Sequence, residues 1–210
     1  MPDFRIEKEH RGVVAGIDEV GRGPWAGPVV AAAVILPRNI CHELMDGLDD
    51  SKKLSRAQRE DLHTMVSRRA DIGIGCASVA EIEQNNILVA SHIAMVRAVT
   101  RLPKMPNIAL IDGKHIPENL PCTGRAVIRG DSLSLSIAAA SIVAKVTRDR
   151  IMASLALRYP VFGWERNSGY GTREHQNGLS LAGVTRHHRR TYAPIAKILG
   201  LHHKKTQDIA

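Results

Sequence analysis

Cysteine is scarce: Cys41, Cys76 and Cys122 are the only three, far apart and odd in number. That excludes a disulfide framework and leaves no C-x-x-C pair to begin a zinc site, so reduced, mostly buried thiols are expected. Aromatic residues make up only 3% of the chain, too few for base stacking to dominate contacts with a nucleic acid. No apolar run reaches the ~18 residues of a membrane span. Met1 to Gly12 carries Asp, Glu, Lys and Arg in place of a signal peptide's apolar core, so a cytoplasmic location is the expectation. Pro- or Ser-rich linkers, repeats and low-complexity tracts are missing too.

What the chain has in excess is positive charge: 29 Lys and Arg against 21 Asp and Glu, a formal net charge of +8. Such an excess suits a polyanionic partner, because each phosphate neutralised by Lys or Arg releases condensed counterions. A merely soluble basic protein carries the same signature, so charge alone assigns no partner. The length of 210 residues and the 44% hydrophobic content fit one globular unit with a sizeable core.

Val13 to Asp18 reads as a buried strand and Val29 to Leu36 as a central one, with Gly21, Gly23, Pro24 and Pro28 punctuating the link. Ser55 to Gln58 has capping-box form, and Leu62, Met65, Val66 and Arg69 follow at helical spacing. Ile72, Ile74 and Cys76 alternate as in a strand, and a helix is predicted over Ile87 to Leu102. Asn107 to Asp112 is a short strand, and Ser134 to Leu157, Ala-rich and free of Gly and Pro, is long enough for a central buried helix. From Asn167 the composition turns polar, with glycines among short helix candidates. Strands mixed with helices indicate an α/β domain.

Asp18 and Asp112 share a context, each following an apolar strand residue at a glycine-bearing exit. In sheets with helices on their faces, ligands gather outside the carboxyl ends of strands, so the two acids could converge. Asp131, after Arg129-Gly130 and before the long helix, is a third candidate. Carboxylates about 4 Å apart repel by roughly 4 kcal/mol at an effective dielectric near 20, a cost that divalent cations relieve. Mg²⁺ takes one or two carboxylates plus phosphate oxygens in phosphoryl-transfer sites. Glu19 is awkward, because neighbours on a regular strand face opposite sides. Any one of these acids alone reads equally as a solvated loop residue or a helix cap.

The run from Gly16 to Pro28 (Gly-Ile-Asp-Glu-Val-Gly-Arg-Gly-Pro-Trp-Ala-Gly-Pro) resembles the opening motif of the ribonuclease HII family. Asp50 to Leu54, Asp112-Gly113, Gly130-Asp131, Ile137 to Asp149, and Gly169 to Thr172 with His175 continue the resemblance in order. It implies a ribonuclease-H-like mixed five-stranded sheet flanked by helices, with a catalytic core near residues 12–165 and a helical C-terminal subregion near 166–205 of a single domain.

By that resemblance Asp18, Glu19, Asp112 and Asp131 are the catalytic, metal-binding quartet, holding two Mg²⁺ or Mn²⁺ ions. The implied reaction is hydrolysis of the phosphodiester on the 5′ side of a ribonucleotide, in RNA/DNA hybrids or singly embedded in duplex DNA, leaving a 3′-hydroxyl and a 5′-phosphate. Ribonucleotide removal and primer degradation are the implied roles, and a monomer the implied state.

Gly21, Arg22 and Gly23 would read the 2′-hydroxyl through their backbone, since glycine permits close approach. Tyr170 would touch that hydroxyl and pack on the neighbouring deoxyribose. Lys52, Lys53, Asn86, Ser141 and Lys145 fall in segments that resemble the family's phosphate-contacting surface.

His187-His188 and His202-His203 lack the partners of a zinc site and read as basic tail, His175 as a packed or capping helix residue, and Asp149 as exposed or ion-paired. Tyr192 stands where the family more often has phenylalanine. The Gly-Arg-Gly segment favours type HII over the sister type HIII. A non-catalytic nucleic-acid-binding module, or another nuclease on the same fold, is the alternative; the complete quartet opposes the first and the Gly-Arg-Gly and Tyr pair the second.

Overall fold

The computed structural model describes residues 1–49, 51 and 54–201. In chain order it contains α1 (Arg5–Lys8), β1 (Val14–Val20), β2 (Val29–Ile35), α2 (His42–Gly47), α3 (Arg56–Ser67), β3 (Asp71–Ala77) and α4 (Val79–Thr100). There follow β4 (Ile108–Asp112), β5 (Thr123–Val127), α5 (Leu135–Arg158), α6 (Trp164–Asn167), α7 (Arg173–Ala182) and α8 (Ala193–Ile198). The strands form one sheet in the order β3-β2-β1-β4-β5. β2 runs antiparallel to both of its neighbours, β1 and β3, whereas β1, β4 and β5 are parallel, giving the mixed five-stranded sheet that the resemblance implies.

Both faces are covered, as parallel pairing with helical crossovers requires. Alternate residues of β1 and β2 point to opposite layers. Ala32 and Val34 pack with α5, α3 and α2, while Ile17, Ala31 and Ala33 pack with α4. A further cluster joins Met152 and Ala156 of α5 to Phe162, Trp164, Leu179 and Ile195, tying the C-terminal helices to the far half of α5. No described helix is long and apolar enough to cross a membrane.

α5 lies almost directly on β1. A methyl group at Gly16 would overlap the backbone of Ser136 and Ile137, so the glycine is there for close approach. The start of α5 is fixed by buried Glu7, whose Oε1 accepts from Ser134 Oγ at 2.7 Å and from the Ser136 N–H at 2.9 Å. A carboxylate beside the free N–H groups of a helix start satisfies donors that have no partner within the helix.

Several boundaries differ from the sequence expectation. β1 continues past Asp18 to Val20, because β2 still pairs with Glu19 and Val20 there. The helix predicted from Ile87 is the second segment of α4, which Asn86, at φ 69°, breaks in two; what the expectation lacked is the first segment, opened at Val79 by a Ser78–Glu81 capping box. The cysteines are free but half-buried, not buried as expected. Gly16→Ala is expected to lower stability by about 3 kcal/mol, the upper end for overpacking a close contact. Urea unfolding would show it as a lower midpoint with an unchanged slope.

Candidate active site

Pairing of β1 with β4 sets Ile17 opposite Ile111, so Asp18 and Asp112 are the next residues in line. Asp112 ends β4 and Asp18 stands beside it near the end of β1, on adjacent parallel strands whose backbones lie about 4.8 Å apart. β5 pairs Val127 with Asp112, and the chain beyond it turns through Gly130 to Asp131. The Gly130 N–H donates to Asp112 Oδ1 at 2.7 Å, which tethers this turn, and with it Asp131, beside the strand end. All four acids of the expected quartet therefore stand at one end of the sheet.

Asp18 and Glu19 do lie on opposite faces. Asp18 points toward α5, where the Ser141 hydroxyl bonds its carboxylate. Glu19 points toward α4 and lines a cavity of about 110 Å³ with Arg22, Ser91, His92, Asp112 and His115. The strand does not bend to unite them; Asp112, at the end of β4, is the acid that both feel.

Burial first, then the charges of Glu19 and Asp112, holds the Asp18 carboxyl well above the ordinary 3.8, although the Glu19 N–H donates to its Oδ1 at 2.7 Å. Burial also raises Glu19. Arg22, 3.4 Å away, opposes that shift, and Asp112 adds to it. Among the described residues no three His, Cys, Asp or Glu side chains close into a set able to hold a metal ion. The donors nonetheless fit a hard divalent cation. They are all oxygens, they repel one another, and water with substrate phosphate would complete the coordination, the usual arrangement for Mg²⁺.

The Gly21–Gly23 segment leaves β1 beside this cluster. Gly21 is buried at φ +95°, a conformation that favours glycine, while Arg22 and Gly23 are exposed. A side chain at Gly23 would come within 3.4 Å of Tyr170 Cε1, so the tyrosine ring, 48% exposed, flanks the glycine loop. The Trp25 N–H donates to the Gly169 carbonyl at 2.8 Å and joins the two segments.

The remaining predicted contacts are diverse. Ser141 is buried, its Oγ 2.8 Å from Ser51 Oγ; with its one proton given to Asp18, it accepts from the Ser51 hydroxyl. Lys145 is paired with Asp149 at 2.7 Å, and Asp149 also accepts from Ser168 Oγ at 2.8 Å, so it is the ion-paired residue expected. Exposed Asn86 caps the second segment of α4, accepting from the Leu88 N–H at 2.9 Å. Lys52, Lys53 and His202-His203 lie outside the described residues.

His188 is not tail; it is fully buried. The Thr185 N–H donates to its Nδ1 at 2.9 Å, which leaves Nε2–H to donate to His175 Nε2 at 3.0 Å. His175 Nδ1–H in turn donates to the Tyr170 carbonyl at 2.9 Å. This order requires two neutral rings, and burial pushes His188 down to about 4 and His175 below its ordinary value. A His-His pair ahead of two arginines reads as basic surface, so nothing in the local pattern marked it.

Two buried arginines were also missed. Arg148 and Arg189 are fully buried, and both reach the loop after β1. Arg148 had a signal: it interrupts the stripe Ala140, Ala144, Met152, Ala156 at four-residue spacing, a polar residue on a core face. Arg189, within His-His-Arg-Arg, had none.

This sheet order with an acidic strand end is the architecture of a type 2 ribonuclease H, and solved structures agree. The ribonuclease H2 of Pyrococcus horikoshii matches with a TM-score of 0.73 at 28% identity, over 89% of this chain and 96% of that one. Bst-RNase HIII in complex with Mn²⁺ shares the fold at a TM-score of 0.74 and 18% identity, over 90% and 70% of the two chains.

The family model for ribonuclease HII matches residues 15–195. Ribonuclease HII of Gluconobacter oxydans is 56% identical over 95% of this chain and 97% of its own length. That of Anaplasma marginale is 49% identical over 94% and 83%. The chain belongs to the ribonuclease HII family.

A raised carboxyl pKa carries a sign. The folded state holds the Asp18 proton more tightly than the unfolded chain, so ionisation costs stability, and the cost sets in as pH rises above 3.8. In metal-free buffer at pH 8, Asp18→Asn is expected to raise the thermal midpoint by about 4 °C, an advantage that shrinks toward pH 4. Identical melting of parent and variant across that range would contradict the cost of ionising Asp18, which burial and then the neighbouring acids impose.

Proposed function

We propose that this chain hydrolyses the phosphodiester on the 5′ side of a ribonucleotide, in RNA/DNA hybrids and at single ribonucleotides in duplex DNA, leaving a 3′-hydroxyl and a 5′-phosphate. The observation that carries the reading is the meeting of two features at one sheet end. Asp18 and Asp112 lie side by side there, and the Gly21–Gly23 loop with Tyr170 docks beside them. A cluster of acids supplies hydrolytic chemistry, and an exposed backbone loop beside an aromatic phenol supplies a sensor for the 2′-hydroxyl that distinguishes RNA from DNA.

Asp18, Asp112 and Asp131 would hold two Mg²⁺ or Mn²⁺ ions, a pair that activates a water and stabilises the leaving oxygen. Asp112 and Asp18 are pre-aimed by the N–H groups of Gly130 and Glu19. Ser141 steadies Asp18 from behind. Glu19 reaches the same end from the α4 side, and its raised pKa suits it to hold or pass on a proton at Oε. Tyr170 offers a phenol that donates or accepts toward the ribose hydroxyl and a ring face for the adjoining sugar. Lys145, Asn86 and the segment with Lys52 and Lys53 provide phosphate contacts, Lys145 by exchanging its Asp149 partner.

A duplex with one ribonucleotide, incubated with Mg²⁺ beside an all-DNA control, tests the reading. A nick 5′ to the ribonucleotide and an intact control are expected, and cleavage of both or neither would refute it. Asp112→Asn should slow the nick by ~10³-fold, about 4 kcal/mol of barrier. Tyr170→Ala should slow cleavage at the embedded ribonucleotide by roughly tenfold while barely moving the thermal midpoint, since an exposed side chain contributes little to stability; equal rates would remove Tyr170 from the site.

A further inference from the structure

Arg148 and Arg189 are fully buried, and among the described residues neither forms an ion pair. Taking a charge out of water costs several kcal/mol unless hydrogen bonds replace its hydration. Here backbone carbonyls replace it. Arg189 Nη2 donates to the Gly21 carbonyl at 2.5 Å, Nη1 to the Arg22 carbonyl at 2.9 Å, and Nε to the Gly27 carbonyl at 3.0 Å. Arg148 donates to Pro28, Ala26 and Ser168 carbonyls at 2.9, 3.1 and 2.9 Å. The two forks form a floor under the whole loop and under the segment that precedes Tyr170.

The consequence for the loop follows from peptide geometry. In a trans peptide the N–H points opposite to the carbonyl of the same unit. With the Gly21 and Arg22 carbonyls aimed inward at Arg189, the N–H groups of Arg22 and Gly23 are turned outward, to the exposed side where the Tyr170 ring lies beside Gly23. A cation on each carbonyl also polarises the amide and strengthens its N–H as a donor. Tyr192 completes the grip: its hydroxyl donates to the Arg22 carbonyl at 2.5 Å and accepts from Arg189 Nη1 at 2.9 Å.

We infer that Arg189 is a positioning residue that sets how strictly the Gly21–Gly23 backbone selects ribose over deoxyribose, with Arg148 bracing the adjoining Ala26–Pro28 segment. The inference rests on the ribonucleotide-cleaving function proposed above. Neither arginine touches substrate; each acts through the peptide planes it orients.

Arg189→Lys keeps the charge but loses the fork that spans three carbonyls. The measurement is the ratio of Kd for an all-DNA duplex to Kd for the same duplex with one ribonucleotide, by fluorescence anisotropy in Ca²⁺ to hold turnover off. Arg189→Lys is expected to cut this preference about tenfold, roughly 1.4 kcal/mol, with all-DNA binding unchanged. Tyr192→Phe, which removes one hydroxyl from the Arg22 carbonyl, should cut it about threefold in a protein that melts close to the parent, and it decides the matter if Arg189→Lys does not fold. A preference equal to the parent's in the folded variants overturns the inference, as does an equal loss on both duplexes, the mark of a merely structural role. A parent with no preference and no nicking would instead refute the proposed function itself.

Discussion

The parallel register of β1 against β4 puts the side chains of Asp18 and Asp112 next to each other whether or not their charges favour it. Hydrogen bonds along the two strands set that placement, and the apolar residues before each acid bury the strands on both faces, so neither acid can retreat without unpairing the sheet. The repulsion is partly met locally, by one backbone N–H on each carboxylate and by Arg22 against Glu19. What is left unmet is negative charge at a sheet end in a chain of net charge +8, and a divalent cation is the simplest partner for it.

α5 links that acidic end to the loop that follows β1. Its first turn touches β1 at Gly16, its second supplies Ser141 behind Asp18, and two turns later Arg148 lies under the loop. One rigid helix thus spaces the acids and the loop relative to each other. Anchoring its start through Glu7 matters for the same reason, because the turn that carries Asp131 leads straight into it.

Much of this was legible in the sequence. Long apolar strands, the Ser55–Gln58 cap, the Ala-rich α5 and acids near strand exits follow from local rules, because each is enforced by neighbours in the chain. β5 was not assigned from its residues: as an edge strand of Thr, Gly, Arg, Ala and Val it is mostly half-exposed and shows no apolar alternation. The kink at Asn86 escaped as well, since a non-glycine residue at φ 69° is decided by the side chain capping Leu88, not by propensity. His188 and Arg189 were unreadable for a different reason. Their burial depends on contacts with Phe162, Trp164 and Gly27, far away in sequence, and nothing within His-His-Arg-Arg anticipates a core.

Those late residues also explain why the C-terminal helices are needed at an active site built on the sheet. A loop with buried Gly21 and exposed Arg22 and Gly23 has no regular pairing of its own, so its carbonyls need donors from elsewhere. A neutral amide could serve one or two of them; a guanidinium has five N–H donors in a fixed plane and fixes several peptide units at once. Carboxylates facing those guanidiniums would have taken over the same donors and released the loop. Carbonyl ligation of two buried cations is therefore the arrangement that holds this backbone rigid while leaving its outward N–H groups free for a ligand.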